Sequence, residues 1–301
     1  MMNLSDERVR AYVLLVLAAL FFGGNTVAGR LAVGHISPEQ IVLFRWVAVV
    51  LMLSLILRGR AVSALRKGGV RWRWFFIMGA TGYTCFNTLF YFAAHKTSAV
   101  NLGILQGTIP VWILMGVFVA HRVRARGLQM FGVFLTVTGV VLLAARGDFE
   151  ALLATGVNPG DLMMLAACFC YACYTVGLKN RPPVDGLEFF FLLSSAALVS
   201  SAPLAVYEVV SGDAHLPDLQ GWLVVLYVAL FPSFLSQVFF IRGVELIGPG
   251  RAGVFLNLVP VFSAVCAVLI IDEPLLWFQA AALVLVIGGI GLSEKSGRQS
   301  S

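Results

Sequence analysis

Charge is what this sequence has least of. Only 12% of its 301 residues are charged and 59% are hydrophobic. A soluble domain carries roughly 25% charged residues. A chain this apolar cannot cover itself with polar surface, which excludes an ordinary soluble enzyme and makes an integral membrane protein the expectation. Its net charge of +6 does not point to nucleic acid, because basic residues beside apolar runs report membrane topology. Long polar stretches are missing too, so no soluble domain is expected beyond a short N-terminus and the tail after residue 293.

Other absences narrow the chemistry. Histidine occurs only as His35, His95, His121 and His215, all near the ends of apolar runs, and there is no HExxH motif. An intramembrane enzyme would need a nucleophile with its base, or a metal set at helical spacing; neither pattern is present. Glu39, Asp161, Glu208, Asp218, Glu245 and Asp272 also lie near the ends of runs, and no carboxylate sits in the middle of one. Export of lipophilic cations, which calls for a central acid, is therefore not expected, and neither is tight proton coupling, with His95 the one titratable group kept in view. The five cysteines (Cys85, Cys168, Cys170, Cys173, Cys266) all fall in apolar runs. An odd number in lipid argues against a disulfide framework, and no His or carboxylate flanks the Cys168–Cys173 stretch to make a metal site. No cofactor is expected.

What is present is a succession of apolar runs. A membrane helix needs about 20 such residues. Ten candidate spans result: 11–33, 38–58, 72–94, 98–120, 127–145, 159–180, 187–209, 219–241, 250–271 and 275–293. The first is too long for a signal-peptide core and reads as a true span. With the N-terminus placed in the cytoplasm, all of the 21 Lys and Arg except Arg30, Arg45, Lys96 and Arg146 fall on the cytoplasmic side. That bias predicts cytoplasmic N- and C-termini.

The spans are written twice. At an offset of 150, Asn87 aligns with Gln237, Pro110 with Pro260, Gln129 with Gln279 and Gly139 with Gly289; NTVAGR (25–30) aligns with YTVGLK (174–179) at 149. Each half then holds five spans, and an odd number turns the second half upside down. Inverted repeats of this kind mark secondary transporters. The paired Pro110 and Pro260 are candidate hinges, since proline interrupts a helix.

Polar residues inside the runs are candidates for a central site, because such groups face a cavity or a partner helix. Asn25, Tyr83, Asn87, Gln106, Tyr171, Tyr174, Gln237 and Asn257 come from both halves at middle depth, and Tyr83, Asn87 and Tyr91 form one helical stripe. Interhelical hydrogen bonding accounts equally well for any one of them. Trp46, with Phe86, Tyr91, Trp112 and Phe190, is a candidate wall of the cavity. Arg45 is the basic residue well inside a span. It is the candidate contact for a substrate carboxylate, or else a structural group bonded to backbone carbonyls. Trp72, Trp74, Trp222 and Trp277 lie at span ends as interfacial anchors.

FFGGNTVAGRLAV, LFRWVAVVLML, KTSAVNLGILQGTIPVWILM, PGDLMMLAACFCYACYTVGLK and GPGRAGVFLNLVPVFSAVCAVLIIDEPLLWFQAAALVLVIGGIGL, in that order, resemble the EamA-type branch of the drug/metabolite transporter superfamily. The resemblance covers nearly the whole chain. One departure stands out: the acidic turn usual after the fourth and ninth helices is kept in IDEPL (271–275) but replaced by AHRVRARG (120–127). The resemblance implies an all-α, ten-helix carrier with helices 5 and 10 peripheral, built from repeats 1–148 and 149–301. It also implies export of small metabolites across a plasma membrane, the inner membrane of a bacterium, with neutral or aromatic amino acids the favoured class and another small metabolite or drug the alternative. The partners implied are the lipid bilayer and a small molecule, and one chain suffices.

Overall fold

A computed structural model describes residues 4–60, 63–64, 66, 71–122, 127–148, 150 and 156–297. Lys67 of the predicted basic loop, Arg124 and Arg126, residues 149 and 151–155 at the seam between the repeats, and Arg298 lie outside the described residues.

Every regular element among the described residues is helical. Helix α1 spans Leu4–Leu31 and α2 spans Pro38–Leu57. Helix α3 passes through Trp72–Gly79, a π-helical Ala80–Cys85 and Phe86–Ala94. Helix α4 comprises Ala99–Gln106 and Ile109–His121, and α5 spans Gly127–Ala144. Helix α6 runs Pro159–Gly177 and α7 runs Gly186–Val210. Helix α8 repeats the α3 plan: Leu219–Val228, a π-helical Ala229–Leu235 and Ser236–Ile247. Helix α9 contains Pro249–Ala252, a 3₁₀ stretch Gly253–Leu258 and Val259–Ile271, and α10 spans Trp277–Gly297.

Eight of these helices are long and apolar enough to cross a membrane by length and composition. The Trp72–Ala94 path is not among them, because Thr81, Tyr83, Asn87 and Thr88 dilute its apolar character, and Trp277–Ser293 is apolar but shorter. Val119, Leu269 and Val284 are each at least 70% exposed. A belt of such side chains has a natural place only against lipid.

The backbone repeats as the sequence does. The two π-helical turns fall at matching places in α3 and α8. Pro110 and Pro260 each occupy the first turn of a helical piece, after Thr108 (φ −79°, ψ −14°) and Leu258 (φ −78°, ψ −15°). They are therefore not mid-helix kinks. Each opens a new piece where its missing N–H costs nothing. Both pieces end on left-handed residues, Arg122 (φ 53°) and Asp272 (φ 52°).

Packing crosses between the repeats. Helix α1 lies against α8 and α9, whereas α6 lies against α3 and α4; α2 pairs with α7, α4 with α9 and α5 with α10. Small residues permit the closest crossings. A Cβ on Gly103 of α4 would stand 2.2 Å from Ser263 Cβ of α9, and one on Gly132 of α5 would stand 2.3 Å from the Gly289 carbonyl of α10.

Candidate functional site

The buried polar centre is assembled by the two π-helical turns. Pro232, inside the α8 turn, has no N–H to give the Val228 carbonyl four residues back. The turn is π-helical at that point, and Ser233 Oγ–H donates to the same carbonyl. In α3, Asn87 Nδ2 donates to the Tyr83 carbonyl at 2.6 Å. Each side chain satisfies a main-chain oxygen and turns its own oxygen inward.

Arg45 of α2 reaches between them and is only 4% exposed. Its Nε donates to Ser233 Oγ at 2.7 Å, and its Nη1 donates to Asn87 Oδ1 and, at 2.9 Å, to Tyr91 OH. Tyr91 OH then donates to Asn25 Oδ1 of α1 at 3.1 Å. Helices α2, α3 and α8 thus meet on one guanidinium, and α1 joins them through Tyr91.

Its partners are all neutral. The Arg45 guanidinium makes no ion pair with any described residue, and Nη2 has no acceptor among them. The nearest further stabilisation is aromatic: the guanidinium carbon lies 5.4 Å from the Trp46 ring centre and 5.8 Å from that of Tyr91. A buried cation without an anion is costly, and a carboxylate brought to it is bound strongly.

An aromatic wall continues from this point. Trp46 stacks on Tyr83 with ring centres 4.9 Å apart; Tyr83 leads to Tyr174 at 5.5 Å, and Tyr174 to Tyr171 at 5.5 Å. Phe190 meets Tyr83 edge-on at 6.4 Å. Trp46 Nε1 is buried with no hydrogen-bond partner among the described residues, as is Ser194 Oγ. Buried donors are normally satisfied, so the indole N–H is a further unspent donor beside the guanidinium.

The structure therefore gathers Asn25, Arg45, Trp46, Tyr83, Asn87, Tyr171 and Tyr174. It does not bring Gln106, Gln237 or Asn257 into this network: all three are half-buried and take no hydrogen bond from a described residue. Trp112 packs on Phe169 at 5.5 Å instead of on the Trp46–Tyr83 stack. Ser233, with its bonds to Arg45 and Val228, is the network member whose weight the sequence understated; the Pro232–Ser233 pair in an apolar run was its signal.

One end of the bundle is held by bonds between the repeats. Glu273, in the turn after α9, accepts from the Ala99 and Val100 backbone N–H groups at the start of α4, at 3.0 and 3.2 Å. This gives the IDEPL turn a physical role, since a carboxylate suits a helix N-terminus. Asp161 of α6 accepts from Thr97, and Gln279 of α10 donates to Asn101 at 2.8 Å. His35 and Asp218 pair at 2.7 Å on the surface. The His35 ring holds the Asp218 carboxyl below its ordinary value, with help from the Gly221 N–H.

A family model describing the EamA-like transporter family matches this chain twice, over residues 9–145 and 158–293. The chain is 25% identical to an uncharacterized transporter, YyaM, of Bacillus subtilis strain 168, over 94% of this chain and 93% of that one. It is 26% identical to a probable amino-acid metabolite efflux pump of Escherichia coli K12, over 64% of this chain and 68% of that one. A solved crystal structure shares its fold with a TM-score of 0.68 at 19% identity, covering 97% of this chain and 99% of the other. The chain is a multi-pass membrane transporter and not an enzyme, and it belongs to the EamA-like transporter family.

Proposed function

We propose that this transporter exports small metabolites bearing a carboxylate, amino acids with neutral or aromatic side chains foremost, by alternating access around Arg45. The observation that carries this reading is the buried Arg45 guanidinium, which has three neutral oxygen partners and no acid. A substrate carboxylate supplies the missing charge, Trp46 Nε1 offers a second donor, and the Tyr83–Tyr174–Tyr171 wall accepts an apolar or aromatic side chain. The similarity to an efflux pump for amino-acid metabolites supports the same class.

In this reading the chain has ten spans in two inverted five-helix repeats, 1–148 and 149–301. Both termini are cytoplasmic, and the membrane is the plasma membrane, the inner one in a bacterium. The Ser37 end, where Glu273, Asp161 and Asp218 make their bonds, faces outward and is closed. Pro110 and Pro260 mark the joints about which the inner and outer pieces of α4 and α9 turn.

The test is uptake of radiolabelled phenylalanine, threonine and lysine into proteoliposomes without a proton gradient. Saturable uptake of the neutral pair, lost in Arg45→Gln and not inhibited by phenethylamine, is the expected result. Phenethylamine competing as well as phenylalanine removes the carboxylate contact; no uptake over empty liposomes removes the amino-acid class.

A further inference from the structure

Helices α2 and α7 pack antiparallel, so the first turn of each lies beside the last turn of the other. Each first turn carries a glutamate: Glu39 in α2 and Glu188 in α7. At one end of the pair, Glu188 meets a cation, Arg60, whose Nε lies 3.5 Å from Glu188 Oε1. At the other end Glu39 meets Glu208, a second acid. The same junction is thus built twice, once with opposite charges and once with like ones.

Glu39 and Glu208 are 6% and 7% exposed. Glu208 is well served by donors: Ser37 Oγ–H at 2.7 Å, Gln40 Nε2 at 3.5 Å and the Glu39 backbone N–H at 3.4 Å. Glu39 accepts from Thr88 Oγ1 alone, at 3.1 Å, and its Oε1 has no partner among the described residues. Glu208 stands close enough for its charge to bear on Glu39.

No cation among the described residues pairs with Glu39 or Glu208. His95, Lys96, Asp213 and His215 line a cavity of about 270 Å³ that also reaches Glu208. None of these basic groups pairs with either glutamate among the described residues. His95 Nδ1 lies 2.9 Å from the Tyr91 carbonyl, and His215 meets Ser37 through its backbone. From α1, Arg30 donates to the Ala94 carbonyl at 2.6 Å; from the α8 side, Asp218 is spent on His35. From α3, the other titratable neighbour is the Cys85 thiol, which is no counter-charge.

Two acids buried against one another, with the Glu208 carboxylate on the Glu39 backbone N–H and no described cation paired with either, disfavour double ionisation, and one proton relieves it. We infer that Glu39 and Glu208 form a proton-binding site at the Ser37 end, in which one proton does there what Arg60 does at the opposite end. The proton belongs on Glu39, which has one donor and an oxygen to spare, whereas Glu208 already takes three donors. The protonated pair holds α2 to α7. Parting them admits water, ionises Glu39 and sets two like charges against closure. Opening of this end is therefore linked to release of a proton, whatever the substrate.

Infrared spectroscopy of the whole protein in liposomes reads this directly, as the C=O stretch of a buried protonated carboxyl, identified by its shift in ²H₂O. The expected result is a band present at neutral pH and lost on alkaline titration. Glu39→Gln abolishes it, Glu208→Gln moves its titration to lower pH by relieving the repulsion, and Glu188→Gln leaves it unchanged. If Glu39→Gln fails to fold, the opposite responses of Glu208→Gln and Glu188→Gln still decide. Absence of the band at neutral pH overturns the proposal. So does its survival in Glu39→Gln, or a band set by sodium rather than by pH, which would make the pair a metal-cation site.

Discussion

Ser233 stands between Arg45 and Val228: its hydroxyl receives the Arg45 Nε–H at 2.7 Å and passes its own hydrogen to the Val228 carbonyl inside the π-helical turn. A backbone irregularity is in this way tied to the single charge at the centre of the molecule. Ser233→Ala strips both bonds at once. Losing a hydrogen bond to a charged group costs about 1.5–3 kcal/mol. Thermal unfolding in detergent should fall accordingly, whereas Ser233→Thr should hold near wild type. An unchanged midpoint in Ser233→Ala would show that Arg45 draws nothing from α8.

Arg45→Gln should cut transport of a carboxylate substrate by about 10- to 10²-fold, the value of one charged hydrogen bond. The decisive comparison is between an amino acid and its amide in the same proteoliposomes. The variant should narrow the preference between them, because only the acid gains from the guanidinium. Equal losses for both would make Arg45 a purely structural post.

Pro110 and Pro260 begin their helical pieces with φ fixed and no N–H to bond across the break. Alanine at both positions lets a continuous hydrogen-bond ladder form through each joint. Transport rate should fall while the unfolding midpoint holds or rises. A double variant with the wild-type rate removes the joint from the mechanism.

The α4–α9 crossing makes a stability prediction independent of transport. A methyl on Gly103 would meet Ser263 Cβ at 2.2 Å, closer than two carbons can approach. Overpacking of a dense core costs about 1–3 kcal/mol. Gly103→Ala should lower the midpoint, and Ser263→Gly should restore it in the double variant. Additive losses would place the strain elsewhere.

The His35–Asp218 pair sets an acid limit on the Ser37 end. Its carboxyl titrates lower when folded than the ordinary 3.8, so its contribution is present above that value and disappears as pH falls through the folded one. Asp218→Asn can still accept from the Gly221 N–H, which Asp218 caps at 2.8 Å, but it loses the His35 charge pairing. Its midpoint should depend less on pH in the acid range than that of the wild type. Identical profiles below the ordinary value would assign the acid sensitivity to another group.

Much of the helical order was written plainly in the sequence. Apolar runs and the 150-residue offset predicted Pro110 with Pro260, and the structure repeats even the backbone angles of Thr108 and Leu258, two residues before them. The stripe Tyr83–Asn87–Tyr91 and the isolated Arg45 marked the centre, because a polar group in lipid must find company. Three things escaped. The half-burial of Gln106, Gln237 and Asn257 depends on how α4, α8 and α9 rotate about their axes, which composition does not specify. The π-helical turns have no signature in helical spacing, and Ser233 stands inside one, so its approach to Arg45 does not follow from its i, i+4 spacing with Gln237. Glu39 and Glu208 each read as an acid near a span end, and only the antiparallel packing of α2 on α7 makes them neighbours.

The exchange of first helices has a consequence for how the protein is made. Helices α3 and α4 emerge during synthesis without α6, the helix they pack against, and α1 waits for α8 and α9. The first half therefore sits in the bilayer with Arg45 lacking its Ser233 partner and Thr84 lacking the Ala197 carbonyl until the second is translated. Neither half is a domain in the sense of folding alone: a chain cut between α5 and α6 should yield two fragments that are unstable apart and recover one another when synthesised together in the same membrane.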